Sequence, residues 1–473
     1  MKEMLNKVML ITYADSMGKN LAELRTVLEK HFKDAIGGLH ILPFFPSSGD
    51  RGFSPTRYDT VDETFGGVED IKRLGEQYNL MVDFMVNHIS RRSEYFLDFQ
   101  EKKDASIYRD LFIRYKEFWK DGEPTPDQIE AIYKRKPAAP CYEVTFKDGT
   151  REKLWCTFSD EQIDLNVQTE AAKEFIRQNI GLLCKMGASI IRLDAIAYAV
   201  KKPGTSCFFV KPGIWELLEE IKDMTEPHGV FILPEIHEHY SIQMEIVRAG
   251  YWIYDFALPM LVLHAIYRGA GEYLKKWLEM SPMKQFTTLD THDGIGIVDV
   301  KDLLPDEEID FIRNKMFSEG ANVKKIYNTA AYNNLDIYQI NTTYYSTLGN
   351  HDDAYLAARA IQFFAPGIPQ VYYVGALAGK NDISLLEKTK NGRDINRHHY
   401  TVEEIDRETE RPVVQKLLEL MRLRSRHKGF SLEGTLDVQL PEPWMLVLTR
   451  KHGPDTARLS VNLRNYGYTI ECS

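Results

Sequence analysis

Residues Ser189 to Ala195 read SIIRLDA, a run of apolar and β-branched side chains that carries Arg192 and closes on Asp194. Near-continuous hydrophobicity over so few positions predicts a strand buried on both faces, as in a parallel sheet covered by helices. Seven further runs of this kind lie along the chain: Val8 to Ala14, Leu39 to Phe45, Leu80 to Val86, Val230 to Ile236, Trp252 to Leu258, Phe286 to Asp290 and Gln370 to Val374. Helical periodicity fills Leu21 to Phe32, Thr169 to Met186, Gly213 to Thr225 and Asp353 to Phe364 between them. Eight strands alternating with helices predict an α/β fold that closes into a (β/α)8 TIM barrel.

Barrel loops usually run about two to six residues, and two connections are far longer. The barrel is therefore expected at 1–88, 164–293 and 351–428, with insertions at 89–163, after strand three, and 294–350, after strand seven. The first insertion carries a charged helical stretch from Tyr108 to Lys120, Pro-rich bends (GEPTP, RKPAAP) and a hairpin pattern around TFKDGT. The second opens with a helix after LLPDEEID and continues into YNNLDIYQINTTYY. Residues 429–473 alternate apolar and polar positions (WMLVLTR, ARLSVNL) and predict a small C-terminal β domain.

The 473 residues hold 59 Lys and Arg against 69 Asp and Glu, a formal charge of −10. That balance argues against a broad basic face for nucleic acid. Apolar residues at 44% and charged residues at 27% fit a core-forming globular chain, neither disordered nor membrane-embedded. Five scattered Cys without CxxC or metal spacing suggest reduced thiols. The apolar run Val8 to Thr12 is too short for a signal-peptide core or a membrane span. The expectation is a cytoplasmic protein, monomer or homodimer, that engages neither nucleic acid nor membrane.

In a barrel, chemistry sits at the C-terminal ends of the strands. Three predicted strands end in acids: IIRLDA with Asp194, FILPEIH with Glu235, and TTLDTHDG with Asp290 and Asp293. One such acid could simply cap the next helix; three in apolar contexts point to a site. Arg192 and Asp194 lie two apart on a strand, so they share a face, and the guanidinium would keep a carboxylate nucleophile ionised. Glu235, in an apolar run and near other carboxylates, suits a general acid. This is the division of labour of retaining glycoside chemistry.

VNH at Val86 to His88, QIDLN at Gln162 to Asn166, RLDA at Arg192 to Ala195, PEIH at Pro234 to His237 and THDG at Thr291 to Gly294 follow in this order. This ordered set resembles the conserved segments of the α-amylase family. LPFFPSSGDRGFSP, YNNLDIYQIN, PGIPQVYYVGALAGKND and NGRDINRHHY further resemble that family's sucrose phosphorylase subfamily, over about Lys7 to Pro412. The resemblance implies Asp194 as nucleophile, Glu235 as acid/base and Asp293 as the carboxylate stabilising an oxocarbenium-like transition state. It implies a glucose-binding ring of Asp50, His88, Arg192, His292 and Arg393, with Phe53 and Phe158 as an apolar platform. Tyr198 and His237, with Asp336, Tyr338 and Gln339 from the second insertion, are implied on the acceptor side. Phosphate needs local cations, and IYKRKP offers Lys134, Arg135 and Lys136, of which Arg135 and Lys136 are the expected pair. No metal is expected, although many amylases use the Asn of VNH toward calcium, and no cofactor.

Some residues depart from the subfamily pattern: Cys156 replaces a common Asn, and Asn166 stands where Asp is frequent. The implied reaction converts sucrose and inorganic phosphate to α-D-glucose 1-phosphate and fructose. The alternatives are a phosphorylase acting on sucrose 6'-phosphate, glucosylglycerol or glucosylglycerate, with Tyr338 favouring sucrose. A hydrolase or a non-catalytic family member is the more distant reading.

Overall fold

The computed structural model describes residues 4–136, 138–322 and 339–473. Eight strands form where the apolar runs lie: β1 (Met9–Thr12), β2 (Gly38–Ile41), β3 (Asn79–Met85), β4 (Ile190–Asp194), β5 (Phe231–Pro234), β6 (Ile253–Asp255), β7 (Gln285–Thr287) and β8 (Ile368–Tyr372). Their order in one sheet is β6-β7-β8-β1-β2-β3-β4-β5. Consecutive strands are neighbours throughout, except β5 and β6 at the two ends of this order, and β8 neighbours β1, the strand order of a (β/α)8 barrel. Almost every strand position is buried, which is why the runs show no period-two alternation.

By contacts the chain forms two compact units, one built on Ile41–Ile236, the other on Met4–His40 together with the chain from His237 onward. In the first unit, parallel register sets Asp83 of β3 beside Arg192 of β4 and Met85 beside Asp194. β5 then pairs with β4, Leu233 opposite Arg192. The TFKDGT hairpin forms, with Cys141–Thr145 antiparallel to Arg151–Trp155. The charged stretch from Tyr108 to Lys120 is mostly not helical; within it only Tyr115–Phe118 forms a helix. Phe112 and Arg114 are instead drawn into bridges with Leu165 and Leu154, and Tyr115 and Trp119 pack into a cluster with Trp155. The helices of this segment fall elsewhere: Glu94–Lys102, capped by Ser93, and Pro126–Ala131, where GEPTP bends at Gly122 and Glu123 and then supplies Thr125 as N-cap and Pro at the first position.

In the second unit, Asp306–Ser318 is the helix that follows LLPDEEID, and Ile295–Gly296 pairs with Gln339–Ile340. The helix Asp352–Phe364 is capped by His351 and almost wholly buried. Its Arg359 holds Asp290 at 2.6 Å, both side chains almost inaccessible. The C-terminal segment is an antiparallel meander of β9 (Thr435–Glu442), β10 (Met445–His452), β11 (Asp455–Asn462) and β12 (Tyr468–Cys472). Among the described residues no helix is long and apolar enough to cross a membrane.

Candidate active site

β4 ends in a sharp turn. Ala195 takes a left-handed conformation (φ 52°) and starts a single 3-10 turn, Ile196–Tyr198. Its backbone N–H donates to Glu235 Oε2 at 3.1 Å, so a strained position directly after Asp194 also anchors the neighbouring carboxyl. Arg192 Nη1 donates to Asp83 at 2.6 Å and to Asp194 at 2.8 Å, and Nη2 stands 3.6 Å from Glu235. One buried guanidinium therefore serves three carboxyl groups.

Burial pushes the Asp194 carboxyl up to about 8; Arg192 opposes the rise, while Glu235 and Asp83 add to it. The short Arg192 contact is what favours charge on Asp194.

His88 is buried, which lowers its pKa and keeps the imidazole neutral. Its Nε2 meets the Phe53 carbonyl at 2.9 Å, and Nδ1 lies 3.4 Å from Asn87 Nδ2. Gln162 donates to the same Phe53 carbonyl at 3.0 Å. His88 therefore spends both ring nitrogens on protein groups that fix the Phe53 loop. Asp50 and Arg51 of that loop both adopt left-handed φ, and Asp50 is exposed. Gly52 (φ 101°) must be glycine, since a Cβ would stand 2.4 Å from the Pro43 carbonyl.

Phe158 packs edge-on against His88 (5.5 Å) and Tyr198 (5.2 Å), and Tyr198 against Phe208 (4.9 Å). Arg135 lies 6.0 Å from both the Phe158 and Tyr198 rings. It lines a small pocket with Lys136, Tyr133, Thr157 and Tyr198. Lys134 lines it too but is paired with Glu130 at 3.2 Å. Asn87 Oδ1 accepts from Lys201 Nζ at 2.8 Å; the same ammonium reaches the Tyr198 carbonyl (2.7 Å) and Asp164 (2.8 Å). A side-chain cation thus occupies the place among Asn87, Asp164 and the Tyr198 carbonyl.

In the second unit, Asp293 sits among basic side chains: Arg393 at 3.2 Å, His292 at 3.8 Å and Arg397 at 3.9 Å. Burial alone would raise its pKa, but Arg393, His292, Arg397 and His237 outweigh burial and hold the carboxyl far below the usual range. Asn396 donates to the Thr291 and Asp293 carbonyls (3.1 and 2.8 Å), and Arg397 to the His292 carbonyl (2.9 Å), which locks the THDG backbone. His237 stacks on Phe256 (3.7 Å between centroids) and has Asp299 on Nδ1 and Gln339 on Nε2, each at 3.5 Å. Asp336 and Tyr338 lie outside the described residues.

The structure thus gathers Asp194, Glu235 and Arg192 in one unit, with Phe53, His88, Phe158, Tyr198, Arg135 and Lys136. In the other it gathers Asp293, His292, Arg393, His237 and Gln339. Asp290, which also ends a predicted strand, is a structural partner of Arg359. Sequence reasoning missed Asp83, Lys201, Arg397, Asn396 and Asp299. Asp83 was within reach: it is an acid inside the apolar run LMVDFMV, where only a paired charge is tolerated.

Residues 12–416 match the family model described as Alpha amylase, catalytic domain. The chain is 56% identical over 468 residues to the sucrose phosphorylase of Streptococcus mutans, covering 98% of this chain and 97% of the relative. It is 44% identical over 474 residues to the sucrose 6(F)-phosphate phosphorylase of Thermoanaerobacterium thermosaccharolyticum, covering 98% and 96%. The crystal structure of sucrose 6F-phosphate phosphorylase from Thermoanaerobacter thermosaccharolyticum superposes with a TM-score of 0.94 at 42% identity, covering 100% of this chain and 97% of that one. The chain belongs to the α-amylase family, among its sucrose phosphorylases and related glucoside phosphorylases.

Proposed function

We propose that this chain is a cytoplasmic sucrose phosphorylase, forming α-D-glucose 1-phosphate and fructose from sucrose and inorganic phosphate with retention at the anomeric carbon. The observation that carries the reading is the Arg192 hub, which bonds Asp194 at 2.8 Å and stands 3.6 Å from Glu235, so its charge favours the ionised nucleophile beside the acid. Two carboxyls served by one guanidinium suit the close spacing, about 5 to 5.5 Å, that double displacement uses. The similarity to the Streptococcus mutans enzyme supports the choice of sucrose over the phosphorylated or glycerol-type substrates of the other relatives.

In the first step an Asp194 oxygen attacks the glucosyl anomeric carbon while Glu235 gives its proton to the departing fructosyl oxygen. The product is a glucosyl ester on Asp194, and Glu235 is left ionised. In the second step a phosphate oxygen attacks that carbon from the side fructose left, its proton passes to Glu235, and Asp194 regains its carboxylate. Asp293, held ionised by its cations, binds glucose hydroxyls and stabilises positive charge on the ring. Asp50, Arg192, His292 and Arg393 complete the glucose site, with Phe53 and Phe158 as its apolar floor, and His88 acts by fixing Phe53. Tyr198, His237 and Gln339 bind the acceptor, a role the family resemblance also gives to Asp336 and Tyr338, and Arg135 and Lys136 draw in phosphate. The barrel is assigned to 1–88, 164–293 and 351–428, with insertions at 89–163 and 294–350 and 429–473 as the C-terminal domain.

Purified protein given sucrose, with and without phosphate, tests this through the glucose 1-phosphate and free glucose released. Phosphate-dependent glucose 1-phosphate is expected. Free glucose as the sole product, independent of phosphate, would overturn the assignment, and a strong preference for sucrose 6'-phosphate would reassign the acceptor.

A further inference from the structure

Arg424, in the last turn of the helix Pro412–Arg426, and Arg450, on β10, are 1% and 0% exposed. Their hydrogen-bond partners are neutral. Arg424 Nη2 donates to Asn6 Oδ1 (2.7 Å) and the Gly367 carbonyl (2.8 Å). Arg450 donates to the carbonyls of Ala365 (3.0 Å), Phe430 (3.2 Å) and Ser431 (3.0 Å). The two converge on Phe430: Arg424 lies 5.0 Å over its ring, and Asn6 donates to its carbonyl at 2.8 Å. Among the described residues no carboxylate pairs with either guanidinium. Three N–H groups, Arg424 Nε and Nη1 and Arg450 Nε, are buried without any hydrogen-bond acceptor.

This differs from three other deep arginines, Arg192, Arg359 and Arg114, each of which holds a carboxylate within 2.7 Å. A guanidinium does not deprotonate to escape burial, and two buried like charges need a counter-charge. The carbonyls, the Phe430 ring and the helix C-terminus near Arg424 offer partial dipoles, which offset a fraction of one charge. Water could accept from the orphan N–H groups but would leave the charge in place.

We propose that Arg424 and Arg450 form a buried site for a monovalent anion of chloride size, held by the orphan N–H groups and tying the C-terminal sheet to the Ala365–Gly367 turn that leads into β8. The ring of carbonyl oxygens disfavours a polyoxyanion such as phosphate, whose extra oxygens would face acceptors. A small halide presents one spherical acceptor to converging donors.

Thermal unfolding of the full chain at constant ionic strength, with gluconate replaced stepwise by chloride or bromide, tests the site. The melting temperature is expected to rise saturably by a few degrees with either halide, as for any ligand bound only by the folded state. Arg450→Leu, away from the proposed active site, should remove that response. A crystal soaked in bromide should give an anomalous peak in hydrogen-bonding contact with both guanidinium groups. This measurement decides the matter if Arg450→Leu does not fold. A melting temperature that follows ionic strength whatever the anion, a response to phosphate alone, or a bromide map without a peak between the two arginines would overturn the proposal.

Discussion

Replacing Asp194 with Asn should stabilise this protein in alkaline solution while abolishing turnover. In the folded chain burial pushes the Asp194 carboxyl up to about 8, whereas an exposed Asp titrates near 4. Between about pH 4 and pH 8 folded Asp194 retains a proton that the unfolded chain has released. Wild-type stability therefore falls as pH rises through that window. Four pH units at about 1.36 kcal/mol each set a ceiling of about 5 kcal/mol. The Asp194 side chain is 13% exposed and bonded to Arg192 at 2.8 Å, and that contact favours the ionised form, so about 1 to 3 kcal/mol is the expected realised difference. Asparagine matches the shape, does not titrate, and leaves Arg192 with Asp83 at 2.6 Å. The assay is thermal unfolding of wild type and Asp194→Asn at fixed ionic strength from pH 4 to pH 8. The difference should be near zero at pH 4 and grow in favour of the variant toward pH 8, the stability cost of a functional carboxylate. A difference that is constant with pH, or that moves in favour of wild type, would refute the reasoning.

Glu235→Gln should lower kcat on sucrose by about 10³-fold, within the usual range for a general acid. It should lower kcat far less on α-glucosyl fluoride, whose leaving group needs no proton, and equal losses on the two donors would remove Glu235 from that role. Lys201→Met should cost about 3 to 5 kcal/mol by leaving buried Asp164 without its cation. Calorimetry would show this as a large fall in melting temperature, and an unchanged midpoint would mean the Lys201 contacts carry no net stability.

What could be read from the chain depended on how local the signal was. The run SIIRLDA already implies a buried strand with Arg192 and Asp194 on one face, because period-two geometry alone puts them there. Lys134 and Arg135 are adjacent cations in sequence, and only the structure separates them, by pairing Lys134 with Glu130. The stretch Tyr108 to Lys120 has helix-forming composition, yet tertiary pairing of Phe112 and Arg114 overrides that propensity. Asp290 and Asp293 look equivalent in TTLDTHDG; Arg359, far along the chain, makes the first a structural partner.

By itself the sequence determined the strand order, the barrel class and the identity of the acids at the strand ends, since these follow from hydrophobic period, strand geometry and ordered motifs. The tertiary structure decided which charges meet: Asp83 with Arg192, Lys201 with Asp164, and Arg397 with Asp293. The reason is physical. An apolar run reports its own burial, because burial is a property of the segment. The charge a group carries when buried depends on partners that only folding brings within a few ångströms.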